Sequence, residues 1–147
     1  MNKLRVLLAD DHRIVAEGLR HLLEPEFDLI GIVEDGRAML EAARELKPDV
    51  IVVDISMPEL NGLDALEELM MIDPDARVVV LTMHRKLVYA RKALSLGALG
   101  YVLKHSAPEE LVLAVRAAAT GKTFVTPELT NDLLQSLSSN KRPSNDP

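Results

Sequence analysis

The chain has 147 residues, a formal charge of -6 and no cysteine, a length that suits one domain with a buried core of its own. The absence of cysteine excludes disulfides, thiolate zinc sites and cysteine nucleophiles together, and fits a reducing compartment, with the cytoplasm expected. The acidic balance argues against this chain gripping nucleic-acid phosphates by its own charge, since phosphate contacts need clustered Lys and Arg.

From the start, MNKLRVLLADDHR holds one short apolar run broken by two aspartates, so neither a signal peptide nor a membrane span is expected there. Continuous apolar runs at Leu4 to Ala9, Leu29 to Val33, Val50 to Val53, Val78 to Leu81 and Tyr101 to Leu103 predict five buried strands. Helical stripes lie between them. Val15, Leu19, Leu22 and Leu23 stop at Pro25; Met39, Ala42, Ala43 and Leu46 stop before Pro48; Leu63, Leu66 and Met70 end at Asp73-Pro74-Asp75.

A fourth helix is expected from Arg85 to Leu96 with Gly97 as its stop, and a fifth from a capping box of Ser106 and Glu109 to near Gly121. Thr126-Pro127 then looks like a cap and first helical residue for a sixth, short helix carrying Leu129, Leu133, Leu134 and Leu137. The closing SSNKRPSNDP has no apolar anchor and is expected to be linker or tail. The expected division is a main domain over 1–121, the short helix over 122–138 and the tail over 139–147, with a further domain expected to follow.

Strand and helix alternating five times imply an α/β fold, a doubly wound parallel sheet with right-handed crossovers and helices on both faces. Ligands of such sheets bind beyond the C-terminal strand ends, where strand order reverses. Those ends carry Asp10 and Asp11, then Asp54, then Thr82, then Lys104. With the order 2-1-3-4-5, three carboxylates share one pocket. Crowded like charges call for a cation, and Mg²⁺ (or Mn²⁺) suits oxygen ligands that include carboxylate and phosphate. A carboxylate can also attack phosphorus, with Lys104 and Thr82 placed to balance the transferred group.

LLADDH, VVVDISMPELNGLDAL, VVVLTMH and GALGYVLKHSAPEEL together resemble the CheY-like receiver domain of bacterial two-component response regulators, over residues 3 to 120. Their wording is most similar to receivers of the NarL/FixJ type, which precede a LuxR-like helix-turn-helix domain. The resemblance implies a flavodoxin-like three-layer sandwich. It implies Asp54 as phosphoacceptor; Asp10, Asp11, Asp54 and the backbone carbonyl of Ser56 around Mg²⁺; Thr82 and Lys104 on the phosphate; and Thr82 with Tyr101 as the switch. The implied partners are a sensor histidine kinase, a second copy of the chain on phosphorylation, and DNA only through an output domain absent from this chain, with no membrane partner. The implied role is a signalling switch that catalyses only its own modification. Receivers often have proline after the lysine; His105 stands there, and the isomer of that peptide stays open.

Each site residue also has a plainer reading. Asp10 or Asp11 could cap a helix, Thr82 and Lys104 could end strands, and Tyr101 could be a half-buried aromatic with a wet hydroxyl. His12, His21, His84 and His105 show no paired ligand spacing and read as surface residues, with His12 and His105 near the pocket. Met39, Met57, Met70 and Met71 read as core filler, and Arg85-Lys86 with Arg91-Lys92 as a solvated face. Two other classes compete. A haloacid-dehalogenase-type phosphatase would need a second aspartate where Ser56 stands, and a phosphate-independent binding module would tolerate loss of the acidic pair or the lysine, both of which are kept.

Overall fold

In the computed structural model of the chain, residues 3–55, 62–83, 85–106 and 108–141 are described, with side chains to residue 135. The chain-order elements are β1 (Arg5–Ala9), α1 (Arg13–Leu23), β2 (Asp28–Val33), α2 (Gly36–Leu46), β3 (Val50–Asp54) and α3 (Gly62–Ile72). Then come β4 (Val78–Thr82), α4 (Leu87–Ser95), β5 (Gly100–Leu103), α5 (Pro108–Ala119), β6 (Phe124–Val125) and α6 (Pro127–Lys141). Every strand pairing is parallel, in the order β2-β1-β3-β4-β5-β6.

Side chains alternate across a strand, and the central strands use that period to feed two cores. Leu7, Ala9, Ile51, Val53, Val78, Val80, Tyr101 and Leu103 pack beneath α2, α3 and α4. Val6, Leu8, Val50, Val52, Val79, Leu81 and Val102 pack with buried residues of α1 and α5 on the other face. All residues of β3, β4 and β5 are buried, as their unbroken apolar runs require.

The expected strand order holds for five strands, but the sheet has a sixth. Phe124 and Val125 pair with Gly100 and Tyr101, too short a run to show a period in sequence. From there Leu129 is fully buried and Leu133 packs against the same core, so α6 covers the α4 side of the sheet. Its N-terminus is held by Glu128, whose carboxylate lies 2.7 Å from the Arg85 guanidinium and 3.7 Å from His105 Nε2.

Other expectations need correction. Strand β2 is only half buried, because an edge strand has a neighbour on one side alone. Met71 is 78% exposed at the end of α3, whereas Met39 is fully buried as expected; Met57 lies outside the described residues. Ser106 does not cap α5: the helix starts at Pro108, and the buried Ser106 hydroxyl has no hydrogen-bond partner among the described residues. Arg85 belongs to the Glu128 contact more than to a bare solvated face. No cis peptide occurs among the described residues, so the Lys104–His105 bond is trans.

The β5–β6 junction carries one buried side-chain bond. Leu103 N–H donates to Thr126 Oγ1 at 3.0 Å, and Thr126 N–H donates to the Tyr101 carbonyl at 2.9 Å. Replacing Thr126 by Val keeps the shape but removes the acceptor for a buried N–H. The expected loss is about 1–3 kcal/mol of unfolding free energy, read by urea denaturation.

Candidate functional site

Strand register builds the site. Ala9 pairs with Val53, so Asp10 and Asp54, one residue further along, stand side by side. Asp54 pairs with Leu81, and Thr82 with Leu103, which brings Thr82 and Lys104 to the same end of the sheet. Asp10 and Asp54 are each 1% exposed and Thr82 is wholly buried. The Lys104 side chain is nearly buried too, with Nζ 3.0 Å from Asp54 Oδ2 and 3.1 Å from Asp10 Oδ2.

Asp10 is fixed on its other oxygen. Its backbone N–H donates to the Val33 carbonyl, and its Oδ1 accepts the His12 backbone N–H at 2.9 Å. That contact is a turn ahead of α1 and not the helix cap that the plainer reading of Asp10 or Asp11 offered, because the N-cap of α1 is His12, with no side-chain capping bond. Among the described residues, Asp10 Oδ2 accepts no hydrogen bond beyond its 3.1 Å ion pair with Lys104, and the buried Asp11 Oδ1 accepts none.

One ligand atom each from Asp10, Asp11, His12 and Asp54 lies within 4.8 Å of all the others. Carboxylates gathered at that spacing, with two of their buried oxygens accepting no hydrogen bond among the described residues, fit a hard divalent cation, which Mg²⁺ or Mn²⁺ satisfies. Asp10, Asp11 and Asp54 could hold it. The Ser56 carbonyl, the remaining expected ligand, lies outside the described residues.

Two residues of the site were under-read in sequence. His12 is half exposed, yet its Nδ1 lies 3.2 Å from both Asp10 Oδ1 and Asp11 Oδ1 and 3.5 Å from Asp54 Oδ2. The run Asp-Asp-His was the signal for it. Gly62 opens α3 directly against the acidic strand end: a Cβ there would sit 2.5 Å from the Asp54 carbonyl oxygen and 2.3 Å from Ile55 Cα. Nothing in sequence spacing shows such a close approach.

Tyr101 is wholly buried and hydrogen-bonded to Thr82. A half-buried ring with a wet hydroxyl is therefore excluded. Burial pushes its phenol up to about 12, against the opposing pull of the Thr82 hydrogen bond. Apart from this group of residues, a cleft of about 640 Å³ between α2 and α3 is lined by Arg37, Arg44, Lys47 and Arg77 together with Glu41 and Asp73, and includes none of Asp10, Asp11 and Asp54.

An acidic group, a lysine and a threonine gathered at the C-terminal strand ends of a parallel α/β sheet form a ligand site of the doubly wound class. Residues 6–116 match the response regulator receiver domain family, and the chain belongs to it. It is 37% identical over 136 residues to the transcriptional regulatory protein DegU of Brevibacillus brevis, covering 91% of this chain and 58% of that protein. A solved LuxR-family two-component response regulator from Aurantimonas superposes with a TM-score of 0.89 at 34% identity, covering 93% of this chain and 99% of that one. The receiver domain of a NarL response regulator from Mycobacterium tuberculosis gives 0.79 at 31% identity, covering 83% of this chain and 100% of that one. The chain is thus a two-component receiver of the NarL/LuxR type and spans a little under three-fifths of DegU's length. No helix among the described residues is long and apolar enough to cross a membrane.

Two measurements check this geometry. Gly62→Ala must push the backbone that carries Asp54, and is expected to cost about 1–3 kcal/mol in urea denaturation. In a Tyr89→Phe background only Tyr101 is left to titrate. Its tyrosinate absorbance is expected to rise with a midpoint near pH 12 rather than the ordinary value of about 10. Because the folded-state value is raised, this group's contribution to stability is whole below about pH 10 and is lost as the pH climbs through about 12. A midpoint near the ordinary value in the folded protein would contradict a dry phenol.

Proposed function

We propose that this chain is a phosphorylation-operated switch whose phosphoacceptor is Asp54. The observation that supports it most is the meeting of Asp54, Asp10, Lys104 and Thr82 at one strand-end level, with an ammonium already 3.0 Å from the Asp54 carboxylate. A phosphohistidine of a sensor kinase docks over the pocket, in the cytoplasm, and an Asp54 oxygen attacks phosphorus in line. The P–N bond breaks, its electron pair stays on the histidine nitrogen, and an acyl phosphate forms.

Asp10, Asp11, Asp54 and the Ser56 carbonyl hold Mg²⁺, which when bound neutralises phosphoryl oxygens. Lys104 remains beside Asp54 and pairs with a second phosphoryl oxygen, and Thr82 donates its one hydroxyl proton to a third. Once that proton is committed, Thr82 can only accept from Tyr101, so the phosphoryl group sets the direction of the Thr82–Tyr101 bond. Because Tyr101 sits in β5 and its carbonyl accepts from Thr126, the β5–β6–α6 edge carries the change outward.

Output is altered pairing of two copies and release or recruitment of a DNA-binding domain, in keeping with the transcriptional role that DegU's name states. Water attack on phosphorus returns the Asp54 carboxylate and frees phosphate, which resets the switch. The chain is not a phosphatase toward external esters.

Incubation with acetyl phosphate and Mg²⁺, followed by intact-mass spectrometry, is expected to show one added phosphoryl group on the wild type. Asp54→Asn and a chelated control should show none. No adduct on a folded wild type, sampled quickly and with several donors, would leave a phosphate-independent binding module as the better account.

A further inference from the structure

Among the described residues, Asp10, Asp11 and Asp54 bring three carboxylates together beside the single ammonium of Lys104. A divalent cation suits such a group, and the reading above gives it oxygen ligands alone. His12 changes the donor set. Its Nδ1 lies nearer to the Asp10 and Asp11 oxygens, at 3.2 Å each, than to Lys104 Nζ at 3.4 Å.

Those separations are the edges of a coordination shell. With metal–ligand bonds of about 2.0–2.1 Å, neighbouring donors stand about 3.0 Å apart in an octahedron and about 3.4 Å apart in a tetrahedron. The 3.2, 3.2 and 3.5 Å from Nδ1 to the carboxylate oxygens of Asp10, Asp11 and Asp54 match those edges. Of those oxygens the buried Asp11 Oδ1 accepts no hydrogen bond among the described residues, whereas Asp10 Oδ1 accepts the His12 backbone N–H and Asp10 Oδ2 has the Lys104 ammonium 3.1 Å away. A neutral imidazole nitrogen facing three carboxylates with only its lone pair would be repelled, so the arrangement calls for either a proton on Nδ1 or a cation between them.

We propose that His12 Nδ1 is a direct ligand of the cation held by Asp10, Asp11 and Asp54, so that the pocket is a mixed nitrogen and oxygen site that selects borderline transition-metal dications over Mg²⁺. This rests on the acidic pocket being the cation site of the switch. Imidazole adds little to the binding of hard Mg²⁺ and much to that of Ni²⁺ or Zn²⁺. Half exposure leaves the ring free to swing onto an arriving ion, and its place beside Asp11 keeps it at the mouth rather than behind Asp54. In a cell this would let a transition metal compete for the pocket and set which ion accompanies the phosphoryl group.

The test uses the whole chain without phosphodonor. Ni²⁺ and Mg²⁺ are titrated separately by calorimetry into wild type, His12→Ala and His12→Gln, each first shown to unfold at the wild-type temperature. Ni²⁺ binding is expected to weaken at least about tenfold in both variants, while Mg²⁺ binding shifts by less than about threefold. Asp54→Asn should weaken both ions, which ties the Ni²⁺ signal to this pocket rather than to His21 or His105. Equal loss for both ions would show that His12 acts through charge or fold, and unchanged Ni²⁺ binding would place the imidazole outside the shell; either result overturns the proposal. Wild type that takes Ni²⁺ but no Mg²⁺ would sink the magnesium reading above and leave this one standing.

Discussion

The Lys104 ammonium between Asp10 and Asp54 is the contact on which the rest of the site depends. Two carboxylates at 1% exposure would be prohibitive side by side without a cation, since removing charge from water costs several kcal/mol per ion. Lys104 lies within 3.0–3.1 Å of both and is itself nearly dry. Everything about the central sheet serves that meeting. Strands β1, β3, β4 and β5 are aliphatic and buried, their parallel registers bring the charged residues to one level, and Gly62 lets α3 begin flush against the acidic strand end.

Burying such a pair favours a defined arrangement more than raw stability. The surroundings are accordingly tight. Lys104 N–H donates to the Thr82 carbonyl at 2.7 Å, Leu103 N–H is taken by Thr126, and Tyr101 fills the core behind Thr82. The residues just past Thr82 and Lys104 also lead to one acid: Arg85 and His105 both face Glu128 at the start of α6. These exposed pairs contribute little energy, but they place the C-terminal helix beside the two strand ends that carry Thr82 and Lys104.

Much of this was legible in the residues. Unbroken runs such as Val50 to Val53 could only be central strands, and the acids, threonine and lysine at run ends could only converge if the strands were parallel. What escaped sequence reasoning were features with no period. Phe124 and Val125 form a strand because β5 offers them an open edge, not because two apolar residues demand one. Ser106 has the composition of a cap but lies two residues ahead of the first helical residue. Met71 has the composition of core and faces water, because it lies one residue further round α3 than Met70, which packs against the core.

Sequence by itself determined the class of fold and the identity of the acids, because period, turn residues and charge at strand ends are local properties of the chain, whereas the strand order came with the family resemblance and the sixth strand with the structure. Tertiary structure alone decided that Lys104 stands between Asp10 and Asp54, that Tyr101 is buried, and that His12 turns toward three carboxylates. Those outcomes depend on distances between segments far apart in the chain and on which side chain reaches a buried charge first. No spacing along a single strand or helix contains that information.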